Sequence, residues 1–349
     1  MLCKTEKSSI KEQPMKAPAF WYQHKLPFYG HLLRPLSWLL YFVGRIRFYR
    51  KPAYTGRTPV ICVGNATIGG NGKTPTCIYL AKLCQHLGYR PLFLSRGYGG
   101  RLTEPTLVND THSWQDTGDE VQLLKNYAPV IIARNRVAGA NYAESLGYDV
   151  IIMDDGLQNH PCFSAHNPSR LPLLIVDKQR LWGNGYLIPA GPLREPCETA
   201  LEKAKAVIAI GTGEIKSDIL SKAQKPLLSA VKDPVVQGQD LQGQRVILFA
   251  GLGHNQQFFD MVRQQQAVIV ESYDFPDHHV YTDVLLKRLV KQAMAENALL
   301  VTTEKDMIRI PAAYYPYIHP FMIRLVFSKE DEMLLEQQVA DFLSHNKQG

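Results

Sequence analysis

Gly69-Gly70-Asn71-Gly72-Lys73-Thr74 stands between a short apolar run, Pro59–Val63, and a stretch of helical character from about Lys73 to Leu87. Glycines in that setting let backbone N–H groups turn inward around phosphate oxygens, and the following helix N-terminus adds partial positive charge. Lys73 has the reach to meet the β- and γ-phosphates of a nucleotide, and the Thr74 hydroxyl is placed to ligate magnesium. The segment Thr67-Ile68-Gly69-Gly70-Asn71-Gly72-Lys73-Thr74 fits G-x-x-x-x-G-K-[ST] except at its first position, where Thr67 replaces glycine. A chance glycine-rich turn is the bland reading. The strand before it and the helix after it are the context that a P-loop requires.

A P-loop also needs an acid at the end of a neighbouring strand. Val150-Ile151-Ile152-Met153 is followed by Asp154 and Asp155, and either carboxylate can complete a magnesium site with Thr74. Alone the pair would read as a strand-ending turn.

The elements that must position these groups are legible as an alternation. Beyond Thr58, short runs of Val, Ile and Leu (Pro59–Val63, Pro91–Leu94, Pro129–Ala133, Val150–Met153) alternate with helical stretches, one near Arg136–Leu146. Continuous apolar runs are what parallel strands buried on both faces require, with ligands at the strand C-termini. A Pro- and Gly-rich stretch, Pro161–Pro196, surrounds one further strand, Leu173–Val176, and reads as a passage between domains. A second α/β series follows: Ala206–Gly211, Leu227–Ala230, Arg245–Gly251, Ala267–Tyr273, a helix near Asp283–Ala295, Ala298–Thr302 and Phe321–Val326. The fold class expected is α/β, a P-loop NTPase-type parallel sheet domain plus a second, smaller α/β/α domain. The division expected is a polar tail over 1–22, a P-loop domain over 23–165 and a second α/β domain over 166–327. A last helix within 328–349 is expected to dock back on the P-loop domain.

With 349 residues, 45% hydrophobic and 20% charged, the chain has the composition of an ordinary globular protein and the length for two cores. The six cysteines are scattered, with no C-x-x-C pair, which suits buried free thiols better than disulfides or a zinc site. The net charge of +7 is unevenly held: residues 1–58 carry eleven basic and two acidic side chains, a net of +9, leaving −2 for the remainder. Such local excess points to an anionic surface rather than to a nucleic acid, which a basic recognition face would have to track. No signal peptide is apparent. From Leu26 to Arg50 the chain turns apolar and aromatic, but its longest uncharged stretch, Pro35 to Gly44, is ten residues, and a spanning helix needs about 20. Leu32, Leu36, Leu39, Leu40, Val43 and Ile46 recur near helical spacing with arginines at both ends. That pattern suits a helix lying in the bilayer interface; the alternative is an N-terminal helix packed on the protein's own core.

Seven blocks together resemble one family, tetraacyldisaccharide 4′-kinase. They are Val63-Gly64-Asn65 with the loop and Pro75, Ser95-Arg96-Gly97-Tyr98-Gly99-Gly100, Gly118-Asp119-Glu120, Asp154-Asp155-Gly156-Leu157-Gln158, Pro189 to Glu195, Phe275-Pro276-Asp277-His278-His279, and Thr302-Thr303-Glu304-Lys305-Asp306. The resemblance covers about Leu26 to Phe327, in order and spacing, and the family tolerates a residue other than glycine where Thr67 stands. It implies two α/β/α domains with the site in the cleft between them, and ATP and magnesium as cofactors. It also implies transfer of the γ-phosphate to the 4′-hydroxyl of an acylated glucosamine disaccharide 1-phosphate, the lipid A precursor. The place implied is the cytoplasmic face of the bacterial inner membrane, peripherally bound, with no protein partner. Asp119 is implied as the base and His278 as its orienting partner; read alone, Asp119 is a helix N-cap and His278 a loop histidine. Lys73 is expected at the transferring phosphoryl group, Arg194 in its Gly/Pro-rich loop at that group or at the substrate's anomeric phosphate, and Asn65, Arg96, Glu120, Arg134 and Gln158 at the substrate. Arg136 is a further phosphate candidate, although singly such arginines also read as surface or ion-pair groups. Glu304 and Asp306 receive no role, and Asn159 stands where the family usually has histidine, with His160 one place later.

Two other readings stay open on the residues alone. One is a membrane-associated P-loop ATPase switch without a small acceptor; the other is a soluble kinase for a small metabolite. Dependence of ATP turnover on an acceptor lipid separates the first, and detergent dependence after N-terminal deletion separates the second.

Overall fold

The computed structural model describes residues 18–23, 27–49, 54–70, 72–158, 169–215, 217–235 and 240–347. The tail expected over 1–22 lies outside them as far as residue 17, and so do Asn71, Asn159 and His160. After helix α1 (Phe28–Tyr49), the chain runs β1 (Val60–Gly64), α2 (Lys73–His86), β2 (Pro91–Ser95), β3 (Thr106–Leu107), α3 (Trp114–Thr117), α4 (Asp119–Lys125), β4 (Val130–Ile132), α5 (Arg136–Ser145) and β5 (Val150–Asp154). It continues β6 (Arg170–Asp177), α6 (Cys197–Lys203), β7 (Ala206–Ile210), α7 (Asp218–Lys222) and β8 (Leu227–Pro234). The small domain is β9 (Arg245–Ala250), α8 (Asn255–Gln264), β10 (Val268–Asp274), α9 (Asp283–Ala295), β11 (Leu299–Thr303), α10 (Glu304–Met307) and β12 (Ile318–Phe321). The chain ends with β13 (Ile323–Phe327) and α11 (Lys329–Lys347).

Among the described residues two sheets form: nine strands in the order β13-β8-β7-β6-β1-β5-β2-β4-β3, and four in the order β10-β9-β11-β12. The small sheet is wholly parallel. In the large one only β3 and β13, the two edge strands, run antiparallel to their neighbours. Strands β1, β2, β5, β6 and β7 are buried at every residue, which is why their sequences are unbroken apolar runs rather than alternations.

The expected boundary at 165/166 is corrected by this topology. β6 pairs with β1 from Val60↔Arg170 to Gly64↔Leu174, so the large sheet continues through it to β7 and β8. Only the segment from β9 to β12 forms the second sheet. Two signals misled. The described part of the Pro- and Gly-rich stretch, 169–196, holds β6 and the turns of a folded loop rather than a linker. The apolar run Phe321–Val326 is two strands broken at Met322, one ending the small sheet and the other pairing antiparallel with β8. Helix α11 does dock on the large sheet: Leu335, Val339 and Leu343 join the core formed by Ile61, Cys77, Leu80 and Phe327. Cys62, Cys77, Cys84 and Cys197 are free and buried.

Helix α1 is tied to the body at few points. The Ser37 hydroxyl donates to Leu187 O at 2.9 Å and accepts from Ala190 N at 3.2 Å, and the Arg34 guanidinium lies 5.0 Å over the Tyr186 ring. The apolar stripe looks outward: Leu32 is 68% exposed, Leu39 59%, Phe42 55% and Ile46 57%. Packing on the protein's own core therefore does not account for this helix. No helix among the described residues is long and apolar enough to cross a membrane.

Candidate active site

The cradle forms where β1 ends and α2 begins. Gly72 caps α2 with φ 92°, in the left-handed region, and a Cβ there would sit 2.6 Å from Ile210 Cδ1. Only glycine fits both demands. Lys73 Nζ donates to Asn65 Oδ1 at 3.1 Å and lies 3.6 Å from Asp155 Oδ1. Asn65 is fully buried and its amide also reaches Gly69 O at 3.5 Å. Asn65, expected at the substrate, thus holds the lysine and the loop. The Pro- and Gly-rich loop after β6 closes over the cradle: Ile68 N donates to Pro192 O, Arg194 N to Ala66 O, and Thr67 bridges Leu193. The buried Thr67 is part of that bridge, a position where the missing first glycine of the motif is not needed.

The two aspartates face different surroundings. Asp154 ends β5 buried, with Cys77 Sγ 3.9 Å from its Oδ1. Burial, reinforced by the charge of Glu120, pushes its carboxyl up to about 6. Asp155 sits with φ 53°, and both its oxygens accept from Arg194 Nη1 at 2.8 Å. Burial raises its carboxyl, but Lys73 and Arg194 outweigh burial and hold it below the usual range. Thr74 lies three residues before Cys77 on α2, hence on the same helix face, so the thiol contact to Asp154 puts Thr74 and Asp154 on one side of the cradle. Arg136 is not available as a phosphate ligand: it is buried, its Nη2 donates to Asp154 O at 3.1 Å, and burial pulls it down to about 10. Gln158 Nε2 is likewise committed to Asn65 O at 2.6 Å and Glu195 Oε1 at 3.2 Å. Arg96 and Arg134 are exposed near the site, and Glu120 is half-buried.

Asp119 opens α4 beside the turn that follows β2. A Cβ on Gly118 would collide with Tyr98 O, and one on Gly100 would meet Gly118 N at 2.8 Å, so the glycines of both blocks exist for this close approach. Gly118 rather than Asp119 is the N-cap of α4; Asp119 is the first helical residue, and its carboxylate accepts through Oδ1 from Glu120 N at 2.9 Å. Its other oxygen, Oδ2, lies 2.9 Å from Nδ1 of His278 across the cleft. Lys305 Nζ is 3.9 Å from Oδ1, and Arg309 Nη1 is 3.5 Å from Oδ2. Burial to 3% exposure would raise this carboxyl. The His278 hydrogen bond and then the charges of Lys305, His278 and Arg309 outweigh burial and hold it below the usual range. His278 takes a left-handed backbone, φ 57°, with its N–H bonded to Gly251 O at 3.1 Å. Lys305 also pairs with Glu120 at 3.3 Å, and Tyr127 donates to Glu304 at 3.1 Å. Lys305 and Arg309 were not foreseen as site residues. The run Thr302 to Asp306 is one of the blocks that carry the resemblance, but only the docking of α10 on α4 gives it a partner.

The family model for Tetraacyldisaccharide-1-P 4'-kinase matches residues 29–343. A protein of Bradyrhizobium diazoefficiens named tetraacyldisaccharide 4'-kinase is 39% identical over 336 residues, covering 94% of this chain and 97% of that one. One of the same name from Bradyrhizobium sp. strain ORS 278 is 40% identical over 340 residues, covering 95% and 98%. The crystal structure of LpxK from Aquifex aeolicus in complex with ATP superposes with a TM-score of 0.73 at 26% identity, covering 90% of this chain and all of that one.

Proposed function

The chain belongs to the tetraacyldisaccharide 4′-kinase family, and from that premise we propose how its own residues perform the transfer of the ATP γ-phosphate to the 4′-hydroxyl of tetraacyldisaccharide 1-phosphate. The observation that carries the reading is the pairing of Asp119 with His278 at the strand edge that also presents Lys73.

The amides of the 67–74 loop and the Lys73 ammonium hold the triphosphate, and Lys73 leaves Asn65 and Asp155 to meet the β- and γ-phosphates. Asp119, kept ionised by its neighbours, takes the proton of the 4′-hydroxyl as that oxygen attacks the γ-phosphorus and ADP departs. His278 fixes the carboxylate's orientation. A sugar hydroxyl is a weak nucleophile, and positioning with charge stabilisation supplies most of the barrier reduction in such transfers. Arg194, now bound to Asp155, is placed to swing to the transferring phosphoryl group.

The residues also fit magnesium. Asp154 is buried with only a weak thiol donor at Oδ1 and a raised carboxyl, the condition of an acid that a cation would satisfy. Thr74 and Asp154 would hold the ion, with Asp155 next to them, and magnesium when bound offsets phosphate charge. Arg96 and Arg134, both exposed, and Glu120, next to Asp119, are assigned to the sugar substrate.

The outward stripe of α1 supports seating at a membrane surface, the place where a four-chain acceptor resides, on the cytoplasmic face of the inner membrane. The ATPase-switch alternative is not favoured, because a switch has no need of a second domain that brings a histidine to an aspartate. The test is incubation with labelled ATP and tetraacyldisaccharide 1-phosphate: a lipid product with one more phosphate is expected. ATP hydrolysis indifferent to the lipid would refute the reading.

A further inference from the structure

Asp306 has no part in the reaction as described, yet this fully buried carboxylate gathers donors from the whole rim of the small domain. Its Oδ1 accepts from Gly251 N at 3.0 Å, from the Tyr281 hydroxyl at 2.7 Å and from Arg309 Nη2; its Oδ2 accepts from Thr303 Oγ1 at 2.6 Å. Gly251 and Tyr281 are the two ends of the segment that carries His278. Arg309 Nη2 also donates to Gly251 O at 3.0 Å, the carbonyl that receives the His278 N–H. Arg309 is 3% exposed, and its Nη1 has no hydrogen-bond partner among the described residues. That Nη1 lies 3.5 Å from Asp119 Oδ2, the oxygen that meets His278.

A buried guanidinium N–H left unbonded is unfavourable by the full desolvation of the group, and the bonds of Nη2 to Asp306 and Gly251 O account for one arm of Arg309 but not for the direction of Nη1. What the arrangement retains is a cation aimed at a carboxylate across a domain boundary. We propose that Arg309 is a positioning residue for the phosphoryl transfer: it fixes Oδ2 of Asp119 and keeps that carboxylate ionised in its buried setting, while Asp306 aims the guanidinium and offsets part of its charge. The proposal rests on Asp119 being the base. Groups facing Asp119 are His278, with Asp277 3.7 Å from its Nε2, Lys305 and Arg309 from the small domain, and Glu120 on its own helix. Among the described residues no ion pair reaches it from α2, α3 or β4.

The test is the pH profile of kcat/KM for the lipid acceptor in the full-length protein. Arg309→Met keeps bulk and removes charge, so the acid limb is expected to move up by about one pH unit, the low end of the effect of an opposite charge within 4–6 Å. Arg309→Lys should bring it back toward wild type, and Asp306→Asn, which unmasks the arginine, should move it down. A limb that stays in place in Arg309→Met while the plateau falls overturns the proposal, since a structural loss lowers activity at every pH. If Arg309→Met does not fold, Asp306→Asn decides: an unmoved limb overturns the proposal and a lowered one supports it. Asp119→Ala separates the premise, because residual turnover that keeps the same acid limb refutes the base reading itself, and with it the proposal.

Discussion

Nδ1 of His278 and Oδ2 of Asp119 lie 2.9 Å apart although 159 positions separate them in the chain. The contact joins the small domain to the large one, and it is not alone on that seam: Lys305 meets Glu120 and Tyr127 meets Glu304. The proposed base therefore has its partner only when the small domain is seated against α4. Asp119→Ala is expected to lower kcat by about 10²–10⁴-fold, the range of a lost general base, while ATP affinity, set at the cradle, stays within a factor of two or so. Pre-steady-state turnover with a parallel nucleotide-binding titration checks both; equal loss of the two would defeat the assignment.

Gly72→Ala should weaken ATP binding by roughly tenfold or more, because alanine in a left-handed conformation is disfavoured by about 1–2 kcal/mol and its methyl would press on Ile210 Cδ1. Adding Ile210→Ala relieves the collision and not the backbone strain, so recovery is expected to be partial. Full recovery in the double variant would show that φ at Gly72 does not matter.

The exposed stripe of α1 gives a prediction that moves one assay and leaves another in place. Leu39→Ser with Phe42→Ser should reduce association with anionic phospholipid vesicles by roughly 10²-fold, since each side chain contributes about 1.5–3 kcal/mol when buried. Tm should scarcely move, as both side chains face outward in the free protein. A large fall in Tm with unchanged vesicle binding would mean that the helix packs on protein instead.

The depressed Asp119 carboxyl makes a statement about acid stability. A carboxylate that titrates lower in the folded chain than its ordinary 3.8 contributes stability in full above that value and loses it as pH falls through the folded one. Thermal unfolding of wild type and Asp119→Asn should therefore differ by a constant amount from neutrality down to about pH 5, with the gap closing below about pH 4. A gap that widens on acidification would reverse the sign assigned to the His278, Lys305 and Arg309 contacts.

Much of this site was legible in one dimension because its chemistry is local. A phosphate cradle is a strand, a tight glycine turn and a helix start, all within fifteen residues, and each leaves a mark in residue type. The acid at the end of β5 is legible for the same reason, an apolar run followed by carboxylates. The substrate-side residues were not. Asn65 and Gln158 are placed at the substrate only by the resemblance, and in the structure both amides are engaged inside the protein, with Lys73 and Gly69 in one case and with Asn65 O and Glu195 in the other. Arg136, one candidate for a phosphate contact, instead donates to the Asp154 carbonyl. Side-chain polarity shows that a group needs a partner; it does not show which one.

By itself the sequence determined the buried central strands, the loop between 67 and 74, the paired aspartates and the charged, apolar N-terminal stretch, since backbone preference and burial act over a few neighbours. Tertiary structure decided which sheet each strand joined, assigning β6 to β8 and β13 to the large sheet. It also decided that Lys305 and Arg309 reach Asp119, and that Asp155 rather than Asp154 is taken up by Arg194. Those outcomes depend on pairing between segments far apart in the chain, where one apolar run fits several neighbours equally well and only the complete packing selects among them.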